Sequence, residues 1–590
     1  MYKFRNLIIL STIITINSVI AQKQIDVADF GVNQQTVDCT PGVIKSLKAC
    51  KNAGDAVLIF KKGVYHFDSD YGKDKYCFIS NNDEGLKRIV FLLEDMNNLT
   101  IDGQGSIFIF HGFLNPFVIN NSRNVKLKNF SIDYTRPFHS EAIITANNAD
   151  GIDIEIPKTF PYRINNGTLV FTDGGKEEGQ KTTVSKEIIY EYGHLLEFDT
   201  KKRETAFMAK DYYLGGTPLV ASSLGERKVR LFMKTLKGTI GNTMVFAFAN
   251  RNYPGFSVSD SRDIRFENVT IYHAGGMGIV CQRTRNISVI SCNVKPSNGR
   301  MISTTADATH FTNCTGKIEL GNCVFQNQMD DATNIHGIYV QIAERLSPTE
   351  FIVQLKHKQQ LGFDFLKAGT LIEFVQGKSL ITKGQAKVIE SKRLNKDFRR
   401  VKLSSELPCG IEIGDAIGEV CDSQFVYIHD NYIGQNRARG MLLNCYGKTI
   451  VENNRFHSPG AAILFEGDAS FWFEQGGVTD CTIQNNIFDN CLFGVWGKAI
   501  IDVGAGIKEN RDSSRYNKNI KVLNNTFRTF DEGLLLQAYC VDGLLWKGNK
   551  IEKTTDYPAT RVSSSLFKVE SSDNINIDQD TSNNKYVYVK

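Results

Sequence analysis

The chain is poor in the features that mark the common alternatives. Its 13 cysteines contain no C-x-x-C pair and no regular spacing. That excludes a zinc ribbon and a disulfide scaffold, and leaves Cys292, Cys323 and Cys481 as buried, stacked, reduced thiols inside apolar strand patterns. A net charge of +5 over 590 residues is too weak and too dispersed for a nucleic-acid partner. Beyond the first 21 residues no apolar run is long enough to cross a membrane. Helical periodicity is scarce, and the Leu-x-x-Leu-x-Leu phrase of leucine-rich repeats is missing. What remains, 42% hydrophobic and 23% charged residues, is the balance of an ordered globular protein.

The N-terminus reads as an export leader. Lys3 and Arg5 precede an apolar run from Leu7 to Ile16, and Val19-Ile20-Ala21 suits cleavage after Ala21. No Cys follows, so no lipid anchor is expected, and the mature chain should be periplasmic or extracellular.

A short phrase then recurs: apolar, any, small polar, any, any, apolar. It stands at Leu127–Ile132, Phe266–Ile271, Leu320–Phe325, Ile428–Ile433, Val451–Phe456, Ile483–Phe488, Val522–Phe527 and Trp546–Ile551, centred on Asn129, Asn268, Asn322, Asp430, Asn453, Asn485, Asn524 and Gly548. A weaker copy is centred on Ser291. Alternating apolar residues on each side of a tight polar turn read as short strands. Where copies are closest the period is 23 or 24 residues, as between 268 and 291 or 524 and 548. A strand-rich period of that length predicts an all-β chain built on a parallel β-helix. The centred Asn residues are expected to stack from coil to coil and satisfy turn backbone groups.

Val27-Ala-Asp-Phe-Gly31, a helix opened by a Thr40-Pro41 cap and strands at Ala56–Phe60 and Gly63–Tyr65 are expected to cover the open end of the solenoid. This stretch resembles the opening region of pectin-lyase-like β-helix proteins. The repeat is broken twice, over 135–252 and 339–419, by alternating strands without the turn phrase. At roughly 80–120 residues each, these are too long for structureless loops and read as inserted β-barrel-like domains. The expected order is leader 1–21, cap and first coils 22–134, first insertion 135–252, central coils 253–338, second insertion 339–419 and last coils 420–590.

One chemical phrase is duplicated at the coil period. Asp307-Ala-Thr-His-Phe311 and Asp331-Ala-Thr-Asn-Ile335 lie 24 residues apart (331 − 307). One coil of separation puts Asp307 and Asp331 on the same face, on strands about 4.8 Å apart. Asp330 adds a third carboxylate. Stacked like charges are costly, and coupled carboxylates push one pKa upward, which separates an acid from a base. Glycoside hydrolysis needs that division. The competing explanations are an Asp ladder that caps turns and a calcium site. Arg437 and Arg439 downstream suit gripping sugar hydroxyls, or are surface charges. Glu466, Trp472 and Glu474, in an insertion between coils, offer an aromatic platform and hydrogen-bonding carboxylates for a pyranose, unless Trp472 only packs the loop. His310 and His336 follow the two Asp phrases and read as supporting or structural rather than catalytic, with His310 grouped among the substrate-binding residues.

Two families share parts of this layout. Polygalacturonases of glycoside hydrolase family 28 carry Asp phrases one coil apart on a β-helix, which keeps a polygalacturonase-type hydrolase or lyase as the alternative. Their Gly-His-Gly and Arg-x-Lys motifs are missing. The chain more closely resembles glycoside hydrolase family 110 over nearly its whole mature length. The likeness rests on the Asp-Phe-Gly opening, the two interruptions, Ala-Asp-Ala-Thr-His, Met-Asp-Asp-Ala-Thr-Asn, Arg-Ala-Arg-Gly and Glu-Gly-Asp…Trp-Phe-Glu. The resemblance implies a right-handed β-helix with two barrel-like insertions and an inverting exo-α-1,3-galactosidase of bacterial origin. It implies blood group B antigens and, as for some members of the family, linear Gal-α-1,3-Gal as substrates, Asp307 as general acid, and Asp330 and Asp331 as the pair that positions and deprotonates water. No metal or other cofactor, no nucleic acid and no membrane anchor are implied. The insertions are surfaces through which copies could associate.

Overall fold

The computed structural model describes residues 22–174, 187–297, 299–421, 423–562 and 565–578. The expected leader, 1–21, lies outside the described residues. The frame is a right-handed parallel β-helix. One column shows how the repeat builds it. Ile25, Leu58, Ile101, Leu127, Phe266, Val289, Leu320, Ile428, Val451, Ile483, Val522, Trp546 and Ile577 are successive register partners on parallel strands. All are buried. Each apolar residue covers the one below, so the core is continuous along the axis and no coil buries its inner face alone.

The turn phrase works one residue out of phase with the sequence reading. The centred residues Asn129, Asn268, Ser291, Asn322, Asp430, Asn453, Asn485 and Asn524 all adopt a left-handed backbone, with φ between 53° and 59°. That conformation suits Asn, Asp and Gly, and it turns the chain. The following residue points inward. Asn431, Asn454, Asn486, Asn525 and Asn549 form the buried ladder; from Asn454 on, each accepts at Oδ1 from the main-chain and side-chain N–H of the ladder residue one coil before it, at 2.9–3.0 Å. Above it, Cys323 and Cys292 hold the same position. The Cys323 N–H donates to Asn431 Oδ1 at 2.8 Å, and its thiol faces the Val289 and Gly321 carbonyls at 3.3 Å. All 13 cysteines are free thiols, ten of them buried.

The helix Thr40–Ala53 closes the N-terminal end. Its first free N–H, that of Thr40, is accepted by Asp38 Oδ1 at 2.9 Å, so Asp38 supplies the cap expected of Thr40. The Thr40 hydroxyl instead donates to the Asp68 carbonyl.

The two interruptions are folded β units. The first holds an antiparallel sheet that includes Ser140–Asn148, Tyr192–Asp199 and Thr243–Phe248. In the second, Thr333–Ser347, Glu350–Gln354, Phe398–Leu403, Thr382–Arg393, Leu371–Val375 and Ala416–Glu419 pair in that order and close back on the first. This six-stranded barrel has its own apolar core, including Val340, Phe351, Phe374 and Val401. Thr333–Ser347 belongs to both units, because its first residues pair in parallel with Thr309–Thr312 and Met441–Leu443. The coil that carries Asp330 and Asp331 is therefore continuous with the barrel wall. No helix among the described residues is long and apolar enough to cross a membrane.

Candidate active site

The site is a corner of the β-helix. Ile279, Thr309, Thr333, Met441 and Ile463 are register partners on five successive coils. One residue earlier stand Gly278, Ala308, Ala332, Gly440 and Ala462, all small. A Cβ at Gly440 would lie 2.4 Å from the Ala462 carbonyl oxygen, so only glycine allows that approach. Two residues earlier stand Met277, Asp307, Asp331, Arg439 and Ala461. The duplicated phrase thus continues into a third level where a guanidinium replaces the carboxylate. The Asp331 N–H donates to Asp307 Oδ1 at 3.3 Å, and Ala308 N–H to the Asp331 carbonyl at 3.0 Å.

Asp307, Asp330 and Asp331 each bring an oxygen within 4.8 Å of the others. Such proximity would also suit a divalent cation, but here three guanidinium groups supply the positive charge. Arg439 reaches Asp331 through Nε and Nη2, both at 2.9 Å, and through its backbone N–H at 3.2 Å. Arg251 donates to Asp330 at 2.9 Å, and Arg437 lies 3.4 Å from the same carboxylate. Arg437 is itself clamped by Asp211, from Nε at 2.9 Å and Nη2 at 2.8 Å. Arg437 and Arg439, read from the sequence as grips for sugar hydroxyls, direct these donors at carboxylates. Both approach Asp330 and Asp331 from the next coil.

One of the three carboxylates titrates apart from the other two. Burial, reinforced by Asp330, pushes Asp307 up to about 8. Burial and its acidic neighbours push Asp331 to about 8 as well, against the pull of Arg439. Burial acts on Asp330 too, but Arg437, Arg251 and Arg439 together hold it below the usual carboxylate range. The most ionised member is also the most accessible: 12% of the Asp330 side chain is exposed, against 4% for Asp307 and 1% for Asp331. A proton-bearing acid and an ionised base thus sit side by side.

These groups open into a cavity of about 1020 Å³. Glu466, Phe471 and Trp472 stand on its wall, the last two 67% and 42% exposed. The loop that presents them is tied by one carboxylate: Asp468 accepts from the backbone N–H groups of Ser470, Phe471, Trp472 and Phe473. From the barrel, His357 packs on Trp472 with ring centroids 4.7 Å apart. Burial pushes Glu466 up. Glu474 is held by Asn81 at 2.7 Å and Asn334 at 3.5 Å. His310, grouped with the substrate-binding residues from sequence, has both ring nitrogens occupied, by Asp307 at 2.7 Å and His336 at 2.9 Å.

Comparison with known proteins fits this layout. The family model GLAA-B beta-barrel domain I matches residues 140–242, and GLAA-B beta-barrel domain II matches 350–417. Alpha-1,3-galactosidase A of Shewanella woodyi is 35% identical over 566 residues, covering 95% of this chain and 90% of the relative. Alpha-1,3-galactosidase B of Bacteroides thetaiotaomicron is 32% identical over 558 residues, covering 92% and 88%. The chain belongs to the α-1,3-galactosidase family of glycoside hydrolases.

Within this α-1,3-galactosidase fold, the GLAA-B domain I region brings in residues that the repeat could not reveal. Asp211 and Tyr213 sit on Arg437, the latter at 3.0 Å, and Trp496 Nε1 donates to Asp211 at 3.2 Å. Arg251 stands where the chain re-enters the β-helix. Asn81 comes from the N-terminal coils, and Asp502, pushed up to about 6 by burial, from the last ones. None of these lies in a repeated phrase. The one sequence signal was generic: a buried carboxylate triad needs cations, and the chain had to supply them from somewhere.

Proposed function

We propose that this chain is an exo-acting α-1,3-galactosidase that removes terminal α-1,3-linked galactose by inversion. Its substrates are blood group B-type glycans and linear Gal-α-1,3-Gal. The carrying observation is the split between Asp307, which keeps its proton at neutral pH, and Asp330, which is ionised and reaches the cavity. Asp307 gives its proton to the glycosidic oxygen as the bond to the anomeric carbon breaks. Asp330 takes a proton from the water that attacks the opposite face. Asp331, saturated by Arg439, orients the pair. Eight carboxyl groups line the cavity against six Lys and Arg side chains, and with Asp307 and Asp331 keeping their protons its charge is close to balanced, so it offers a uronic acid no excess of positive charge. A polygalacturonase-type site would need that excess.

One observation favours a second reading. Inverting carboxyl pairs usually stand about 6.5–9.5 Å apart and retaining pairs about 5–5.5 Å. The nearest approach here, within 4.8 Å, is closer to the retaining geometry, with Asp330 as nucleophile. Proton NMR during hydrolysis of blood group B trisaccharide and α-1,3-galactobiose decides between them. Inversion releases β-galactose first, and retention releases α-galactose. No galactose from either substrate overturns the assignment. The basic, apolar N-terminus supports export to the periplasm or beyond, which fractionation of the expressing cells would test.

A further inference from the structure

At the buried floor of the cavity Asp307 meets His310, and the polarity of that contact is set two residues further on. The Gly337 carbonyl can only accept, so His336 Nδ1 carries a proton and donates to it at 2.6 Å. A neutral His336 then has a bare Nε2. That atom lies 2.9 Å from His310 Nε2, which must be the donor. His310 therefore presents a bare Nδ1 to Asp307 Oδ2 at 2.7 Å. Two lone pairs do not meet at that distance, so the proton between them belongs to Asp307.

We propose that His336 and His310 are positioning residues: a one-directional hydrogen-bond chain, anchored on the Gly337 carbonyl, that keeps the acid's proton on Asp307 until a leaving oxygen competes for it. The proposal rests on Asp307 being the general acid. Complete burial keeps the chain neutral. The side chains of His310 and His336 are 1% and 0% exposed. Burial drives His310 down to about 4 and lowers His336 as well. The other groups facing Asp307 are Asp331, Asp330, Arg251, Arg439 and Glu474. Only Glu474 bears on the direction of the chain. Its Oε1 lies 3.7 Å from His336 Nε2, and a second proton on His336 would reverse the chain. Asn81 and Asn334 occupy the Glu474 oxygens, which weakens that pull.

The test compares His336→Leu with His336→Gln, whose amide oxygen can still accept from His310 Nε2. The readout is kcat/KM against pH on α-1,3-galactobiose and on dinitrophenyl α-galactoside, whose leaving group needs no protonation. In His336→Leu, His310 is free to turn its proton toward Asp307. The alkaline limb on the disaccharide should then move down by at least about one pH unit, with roughly tenfold lower kcat/KM above it, and the dinitrophenyl substrate should change less than about twofold. The Gln variant should restore the limb. An unmoved limb in His336→Leu, or equal losses on both substrates, overturns the chain. Failure of the acid assignment shows separately, as Asp307→Asn losing both substrates equally. Should the Leu variant not fold, nitrogen NMR of histidine-labelled wild-type protein tests the same point. A neutral Nδ1–H ring for His336 and a neutral Nε2–H ring for His310 are expected, and a cationic or opposite pair at neutral pH refutes the proposal.

Discussion

Two polar columns are stacked at the coil spacing of this β-helix, and they solve the same problem differently. The column Asn431, Asn454, Asn486, Asn525 and Asn549 is neutral, buried and self-sufficient, because each amide brings both a donor and an acceptor. The column Asp307 and Asp331 has no amide to serve as donor and acceptor at once. It is completed from outside: Arg439 on the next coil holds Asp331, and the adjoining Asp330 is held by Arg251, where the first insertion ends, and by Arg437, itself clamped to Asp211 of that insertion. A column that satisfies itself needs no other element. A column that does not ties its coils to distant parts of the chain and sets raised carboxyls beside a lowered one, Asp330, a difference hydrolysis can use.

The comparison can be broken from the neutral side first. Asn486→Asp removes the donor that reaches the Val451 and Gln484 carbonyls and sets a charge among acceptors. It should cost about 3–5 kcal/mol at neutral pH, read by denaturant melts. Asn486→Ala leaves the same partners unpaired without adding charge, and should cost about 1–3 kcal/mol.

On the charged side, Arg439→Met leaves Asp331 without its partner. Its folded pKa, already raised, rises further above the unfolded value. A raised acid adds stability at low pH and loses it as pH climbs toward the folded pKa, here about 8 or higher. Parent and variant both keep this proton below about pH 8, so the melting gap between them should be flat from pH 5 to pH 7 and widen above pH 8. A gap that stays flat above pH 8 as well would mean that Arg439 acts by packing alone.

Activity should follow the same division. The alkaline limb of kcat/KM should lie near pH 8, where Asp307 loses its proton, and the acid limb below the usual carboxylate range, where Asp330 gains one. The smallest effect is at the rim. Trp472→Ala should raise KM about three- to tenfold with little change in kcat, as expected for loss of one stacking face.

Much of this was legible in the residues. The apolar column follows from spacing alone, and the offset of 24 between Asp307 and Asp331 places both on one face before any coordinates. Two things were not legible, for physical reasons. The ladder phase was missed by one residue, because a left-handed backbone at Asn453 or Asn485 turns the corner and the inward position passes to Asn454 or Asn486. Arg251, which holds Asp330, and Asp211, which clamps Arg437, were missed because both belong to an insertion with no repeat, and only tertiary packing brings them to the coil corner. Arg437 and Arg439 were found without their carboxylate partners, since a sequence shows a charge without showing what already holds it.

The most direct test of the account is the pair of rates for Asp307→Asn. An acid that protonates the leaving oxygen matters only when that oxygen leaves poorly. Asp307→Asn should lower kcat/KM on α-1,3-galactobiose by about 10²–10⁴-fold and on dinitrophenyl α-galactoside by far less. Equal losses on the two substrates, in a protein with an unchanged melting curve, would contradict the assignment of Asp307 as the acid.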